Sequence, residues 1–272
     1  MMLRGLFIGV LCIVLAACSR VELAYDNADW WLARQVAGYL DLERDQRGLL
    51  RNDLAAYREY HQQARMPEIL SFLESVDALL ETSAPSRAAV AEQFDEAEAL
   101  IRASASDALP LAVNTLQRLS ASQIDGFEVS LAEGRQTYVE EIAPERPEQL
   151  EERLQDWLGK VRPAQTDLIT QCSEQTPDVR DEWLRWRSQM DNRLVAALRS
   201  ERDKGAITSL LYEWWLDDQA RGAALISARA TTRSIWLECT HELLLTLDTD
   251  QRDAARSRLA RYVDGVSLIA ER

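Results

Sequence analysis

Histidine, lysine and glycine are all scarce in this chain, and each scarcity removes a class of function. Only His61 and His241 are histidine among 272 residues. A side chain that shuttles protons near neutral pH is therefore available at two places at most. Glycine numbers ten; no Gly-x-Ser-x-Gly elbow and no glycine-rich phosphate loop occurs, so hydrolases and nucleotide enzymes lose their commonest signatures. Lys160 and Lys204 are the two lysines among 31 basic residues, set against 45 acidic ones for a net charge of −14. Such a surface repels phosphate backbones and anionic headgroups, which excludes nucleic acid and polybasic membrane docking. The predominance of arginine reads as base composition rather than as a use of guanidinium chemistry. No apolar run reaches the roughly 20 residues that a membrane-spanning helix needs.

What is present at the N-terminus is an export signal. Arg4 supplies the positive charge, and Leu6 to Ala16 form an apolar run of eleven residues, suited to a secretory core region. Its end, Leu15-Ala16-Ala17-Cys18, resembles the lipobox of bacterial lipoproteins, in which the cysteine is acylated and becomes the first residue after cleavage. Stable anchoring needs more than one acyl chain, which the multiply acylated cysteine of that class provides. Ser19, where inner-membrane retention typically has aspartate, implies the outer membrane, with the domain facing the periplasm. Residues 1–17 are then a cleaved signal, 18–27 the lipidated cysteine and a short tether, and 28–272 a helical domain, with two packed halves as the alternative to a single body. The mature chain keeps 30 basic residues, since only Arg4 is lost. Cys172 and Cys239 remain as an even pair in an oxidising compartment, either bridged or as two separate buried thiols.

The periodicity is helical throughout, which makes the chain all-α, a multi-helix antiparallel bundle. Ile69, Leu73, Val76 and Leu80 fall on one helix face, and no run alternates apolar and polar residues over the length of a strand. Asp125-Gly126 and Asp264-Gly265 lack the flanks of hairpins. Pro67, Pro85 and Pro177 sit where a first helical turn tolerates a missing N–H. Four short segments share an apolar residue four positions before a glutamine: Leu42 to Gln46, Leu119 to Gln123, Val161 to Gln165 and Leu247 to Gln251. Each reads as a capping box with a hydrophobic staple, in which Ser120 or Asp248 accepts from the first turn and the glutamine reaches back. Glu43 and Arg162 are poor caps, so those two boxes are degenerate. In three copies a leucine follows the glutamine by eight, namely Leu54, Leu131 and Leu259, about two turns on.

The stretches "YLDLERDQRGLL", "YHQQARMPEILSFL", "LSASQIDGFEVSL", "LGKVRPAQTDLI" and "LDTDQRDAARSRLARYVDG", with "YDNADWW" as an opening, resemble a family of proteobacterial lipoproteins of unknown function. That resemblance implies an address and a helical fold but no reaction. The leucine-to-glutamine box is more distantly similar to the LTxxQ motif of small periplasmic helical chaperones and stress proteins, although the threonine is missing from every copy.

Candidate chemistry is sparse. Glu238 and His241 have the Glu-x-x-His spacing of di-iron bundles, but the second copy is missing because Arg58 stands three residues before His61. No metal site and no cofactor are expected. His61 and Arg65, just before Pro67, are the candidate binding residues; otherwise His61 caps the last carbonyls of its helix. Glu140, Glu141, Glu145, Glu148, Glu151 and Glu152 read as a solvated face. Eight tryptophans fill interhelical cores or line an apolar groove, with Trp30 and Trp31 expected as the first core contacts rather than as rings at the headgroups. The functional expectation is an anchored interaction or chaperone-like protein with an envelope protein as partner. The alternative is an enzyme acting on envelope glycan or lipid through a carboxylate and His61 or Arg65.

Overall fold

The structure is a computed structural model that describes residues 21–141, 147–200 and 203–272. The signal segment and Cys18 lie outside the described residues, as do Glu145 and the side chains of Glu140, Glu141 and Glu148. Within the described residues the chain is all-helical, with no strand. The helices run α1 (Val21–Asp26), α2 (Ala28–Tyr39), α3 (Arg44–Ala64), α4 (Met66–Glu81), α5 (Arg87–Gln117), α6 (Ala121–Glu141), α7 (Pro147–Leu158), α8 (Pro163–Gln175), α9 (Arg180–Arg199), α10 (Lys204–Trp215), α11 (Ala223–Thr246) and α12 (Thr249–Ala270), with a short 3₁₀ turn at Asp218–Arg221. Both Asp-Gly pairs lie inside helices, in α6 and α12.

The prolines divide by context. Pro67 and Pro163 occupy the first turns of α4 and α8. Pro85 precedes Ser86, whose hydroxyl accepts from the Ala89 N–H at 3.1 Å as the cap of α5. Pro177 lies in the connection before Arg180 opens α9, so neither it nor Pro85 falls in a first turn as their sequence context implied. Pro110 falls inside α5 without ending it.

Buried apolar residues gather in two main cores. The first joins α2, α3, α6, α9, α10 and the C-terminal half of α5 around Leu42, Leu50, Leu119, Ile124, Leu198 and Ile207. The second joins α4, α7, α11, α12 and the start of α5 around Leu80, Val90, Leu237 and Leu259. At 31 residues, α5 is about 46 Å long and contributes Val90 to one core and Leu109, Val113 and Leu116 to the other. Ile69, Leu73, Val76 and Leu80, the stripe read from spacing, do turn inward on α4. Leu54, Leu131 and Leu259 are also buried. Cys172 on α8 and Cys239 on α11 form a disulfide, with Cα atoms 6.4 Å apart and 67 positions between them in sequence.

Among the described residues, helix is already present before the expected start near Asn27 or Ala28. α1 comes first and packs on α12, where Val21 enters a small cluster with Met66, Tyr262, Val266 and Ile269. Gly265 makes this approach close: a Cβ there would fall 2.9 Å from that of Val21. Arg272 on the far side binds Glu22 and Asp26.

Candidate functional site

The four glutamine boxes meet in two pairs, one in each core region. Gln46 and Gln123 exchange amide hydrogen bonds at 3.0 and 2.7 Å. The second hydrogen of each amide goes to the carbonyl two residues before the partner helix's cap, Gln46 to Arg118 and Gln123 to Asp41, both at 2.6 Å. Gln165 and Gln251 repeat the exchange at 3.1 and 2.9 Å, and Gln251 donates to the equivalent carbonyl of Lys160 at 2.7 Å. The fourth position deviates, because Arg162 takes the Thr246 carbonyl and Gln165 turns to the Thr246 hydroxyl at 3.0 Å. In all four boxes the glutamine carbonyl also accepts the cap residue's own N–H, from Glu43, Ser120, Arg162 and Asp248. Glu43 and Arg162 thus retain the half of the box that the glutamine supplies. Each amide meets every bond its geometry allows, as a buried polar group must to avoid an uncompensated desolvation cost. These clasps bind helix starts to one another and have no capacity left for a ligand.

His61 does not cap its helix. The last-turn ring of α3 lies between Tyr25 and Tyr57, with centroids 6.0 and 5.7 Å away. Its Nδ1 is 3.3 Å from the Tyr25 hydroxyl, which also lies 3.2 Å from the Arg58 carbonyl. Burial pushes the imidazole down to about 4 and the Tyr25 phenol up to about 12. Arg65, at the corner between α3 and α4, is spent on Asp107 of α5 at 2.6 Å and Glu68 at 2.8 Å. The structure therefore places His61 and Arg65 side by side, but as a neutral ring under a tyrosine and a guanidinium clamped between two carboxylates. Glu238 pairs with Arg87 at 2.7 Å and lies 4.0 Å from His241 Nδ1, while His241 Nε2 lies 3.2 Å from the Pro85 carbonyl. Among the described residues no cluster of three or more histidine, cysteine or acidic side chains could hold a metal ion.

A second polar cluster, missed from sequence, lies inside the first core. Asp191 is 1% exposed and accepts from Arg187 Nε at 2.9 Å and from Arg135 at 2.5 Å. The Arg187 guanidinium lies 4.1 Å over the Trp214 ring and 5.9 Å from that of Trp183. Desolvation pulls Arg187 below its ordinary value, and burial pushes the neighbouring Tyr39 up to about 12. The sequence carries a trace of this cluster, since Trp183, Arg187 and Asp191 recur every four residues on one face of α9. Elsewhere Arg221 covers Trp186 and Arg258 covers Trp157. Arginine is thus used for planar stacking and forked hydrogen bonding, which lysine cannot supply, contrary to the compositional reading. A surface depression of about 570 Å³ is lined by Tyr212, Glu213, Asp217 and Gln219 on the other side of α10, away from His61 and the buried charges.

The tryptophans are not all core residues. Trp183 and Trp214 are buried, Trp31 is half-buried, and Trp30 is 58% exposed. No described helix is long and apolar enough to cross a membrane.

Compared with known proteins, residues 38–216 match the family of unknown function DUF6279, which is well over half of the chain. The matched stretch contains the whole first core except Ala33. No curated protein and no solved structure matches the chain.

Proposed function

The chain belongs to the DUF6279 family of unknown function, and from that premise we propose that it is an exported lipoprotein, anchored through Cys18, that serves the bacterial envelope as an interaction or chaperone-like protein. The observation that carries this reading is the Cys172–Cys239 disulfide. Bridges of this kind persist in oxidising compartments. With Cys12 removed alongside the signal, the bridge leaves Cys18 as the one cysteine of the mature chain outside a disulfide, at the position where the lipobox-like Leu15-Ala16-Ala17-Cys18 assigns it to lipid. Ser19 favours the outer membrane, and the net negative charge favours protein over nucleic acid as the partner. The internal engagement of His61, Arg65 and Asp191 supports a binding scaffold rather than a reaction centre. An enzyme acting on envelope glycan or lipid through His61 or Arg65 gains no support from this geometry.

Metabolic labelling with an alkynyl fatty acid, followed by membrane fractionation, tests the anchor. Label should enter the wild-type chain and be lost in Cys18→Ala, with the protein recovered in the outer-membrane fraction. A wild-type chain without label, or one whose label survives Cys18→Ala, overturns the anchor. In-cell crosslinking, paired with a client-aggregation assay on the purified chain, tests the role. A specific envelope partner or suppressed aggregation is expected; the absence of both overturns it.

A further inference from the structure

The two most exposed large apolar side chains among the described residues are Leu23, at 61%, and Trp30, at 58%. Both belong to the first two helices, the part of the fold nearest Cys18. α1 and α2 are nearly continuous: the Asn27 N–H donates to the Leu23 carbonyl at 3.2 Å and the Trp31 N–H to the Asn27 carbonyl at 3.0 Å. Leu23, Asn27, Trp30 and Arg34 therefore follow one another along a single outward face, at spacings of four, three and four. All four are exposed. Asp26, exposed one turn before Trp30, borders that face, and Glu22 and Asp29 lie further round the helix. The neighbouring acids are turned to other partners, Glu22 and Asp26 to Arg272, and Asp29 to Arg58 at 3.5 Å. Asn27 spends its amide on the Leu23 carbonyl at 2.7 Å, and the Arg34 guanidinium lies 5.9 Å over the Trp30 ring. An aliphatic side chain, an indole and an arginine beside it make the combination that settles at a membrane interface, where the ring sits at headgroup level and the cation reaches phosphate.

We propose that the Leu23–Trp30–Arg34 face is a lipid-contact surface, which lies against the leaflet holding Cys18 and fixes how the domain is oriented on it. The proposal rests on the anchoring reading above. Only Ser19 and Arg20 stand between Cys18 and Val21, so Val21 lies within about 11 Å of the anchor, three steps at the 3.3–3.6 Å that an extended residue spans. A face this near the anchor meets the leaflet at very high effective concentration. Weak apolar insertion then suffices, and the acidic remainder of the surface does not oppose it in a zwitterionic leaflet. Val21, locked against Gly265, makes α1 a rigid extension of α12 rather than a loose leader.

The test supplies the anchor chemically, so that it stands whether or not the cell acylates Cys18. The mature chain from Cys18 onward, with its disulfide intact, is coupled through the Cys18 thiol to a maleimide lipid in phosphatidylcholine vesicles that contain brominated phosphatidylcholine. Bromine quenches tryptophan that enters the interface. Tethering should quench part of the emission, and that part should vanish in Trp30→Phe and shrink in Leu23→Ser, while Trp236→Phe on α11 retains it. Circular dichroism matching the wild type shows that the variants fold, as expected for exposed positions. Tether-induced quenching that is absent from the wild type, or unchanged in Trp30→Phe, overturns the proposal. So does a concentration-dependent dimer of the untethered chain that Trp30→Glu abolishes, since the face would then belong to a second copy.

Discussion

The two cores are closed by the same device and stiffened by different ones. In each, two helix starts face one another and their third-position glutamines exchange amide hydrogen bonds. Around the first clasp, the additional constraint is a buried charge cluster, Arg135–Asp191–Arg187, roofed by Trp214. Around the second it is covalent, the disulfide from α8 to α11, together with Arg252, which donates to the carbonyls of Leu80, Thr82, Ser83 and Leu244 and so satisfies the ends of two helices. The contrast separates what the repeat does from what its surroundings do. Pairing of helix starts sets which helices are neighbours, and the local reinforcement sets how firmly each neighbourhood holds.

The largest effect is expected from the covalent device. Replacing both Cys172 and Cys239 by serine should cost about 4 kcal/mol, the loop-entropy value for a closure of this length, read from urea unfolding. Hydrogen exchange should accelerate first in α8 and α11 and leave α6 and α9 protected; uniform acceleration would erase the contrast between the regions. In the first region, Asp191→Ala strands the Arg187 charge and should cost about 3 kcal/mol or more, with part of the loss recovered when Arg187→Met is added. Within the clasps, Gln123→Ala and Gln165→Ala each leave the partner amide, half-buried in Gln46 and buried in Gln251, and backbone groups unpaired and should cost about 2 kcal/mol, and similar costs in the two regions would show that the device is equivalent in both. A further effect concerns pH. His61 is neutral in the fold and titrates near 4 rather than at the ordinary 6.5, so the unfolded chain takes up its proton first as pH falls. Its contribution is intact above 6.5, declines between 6.5 and about 4, and changes no further below that. His61→Phe should flatten this part of the stability profile in urea midpoints taken along the pH scale, and an unchanged slope would mean that the ring is not held neutral.

Much of the local architecture was legible in the residues. Helical spacing, the four glutamine boxes and the buried leucines eight positions on are properties of single helices, and single helices write their pattern into contiguous sequence. Which boxes pair is a tertiary fact, and nothing in Leu42–Gln46 points to Leu119–Gln123 rather than to Leu247–Gln251. The same limit applied to Glu43 and Arg162. Glu43 is a weak acceptor for a first turn and Arg162, whose guanidinium only donates, is none, yet their boxes persist because the glutamine is held by its partner across the interface. His61 was misread as a cap because Tyr25, which covers it, comes from a helix not expected before residue 27. The buried Asp191 was missed because an Arg-x-x-x-Asp pair on a helix ordinarily marks an exposed face; only the tryptophan four residues earlier hinted that this face turns inward. Of the candidate site residues, the Cys172–Cys239 pairing needed the packing of α8 on α11 to be seen, and Cys18 lies outside the described residues.

The pairing of helix starts is tested most directly by a double-mutant cycle on Gln165 and Gln251, each replaced by leucine alone and together, with unfolding free energies measured by urea titration. If the two amides clasp one another, the double variant should lose about 1 to 2 kcal/mol less than the sum of the single losses, the coupling expected of contacting partners in one buried network. Losses that add to within a few tenths of a kcal/mol, as they do for distant sites, would show that the two glutamines act as independent caps and that the clasp does not exist.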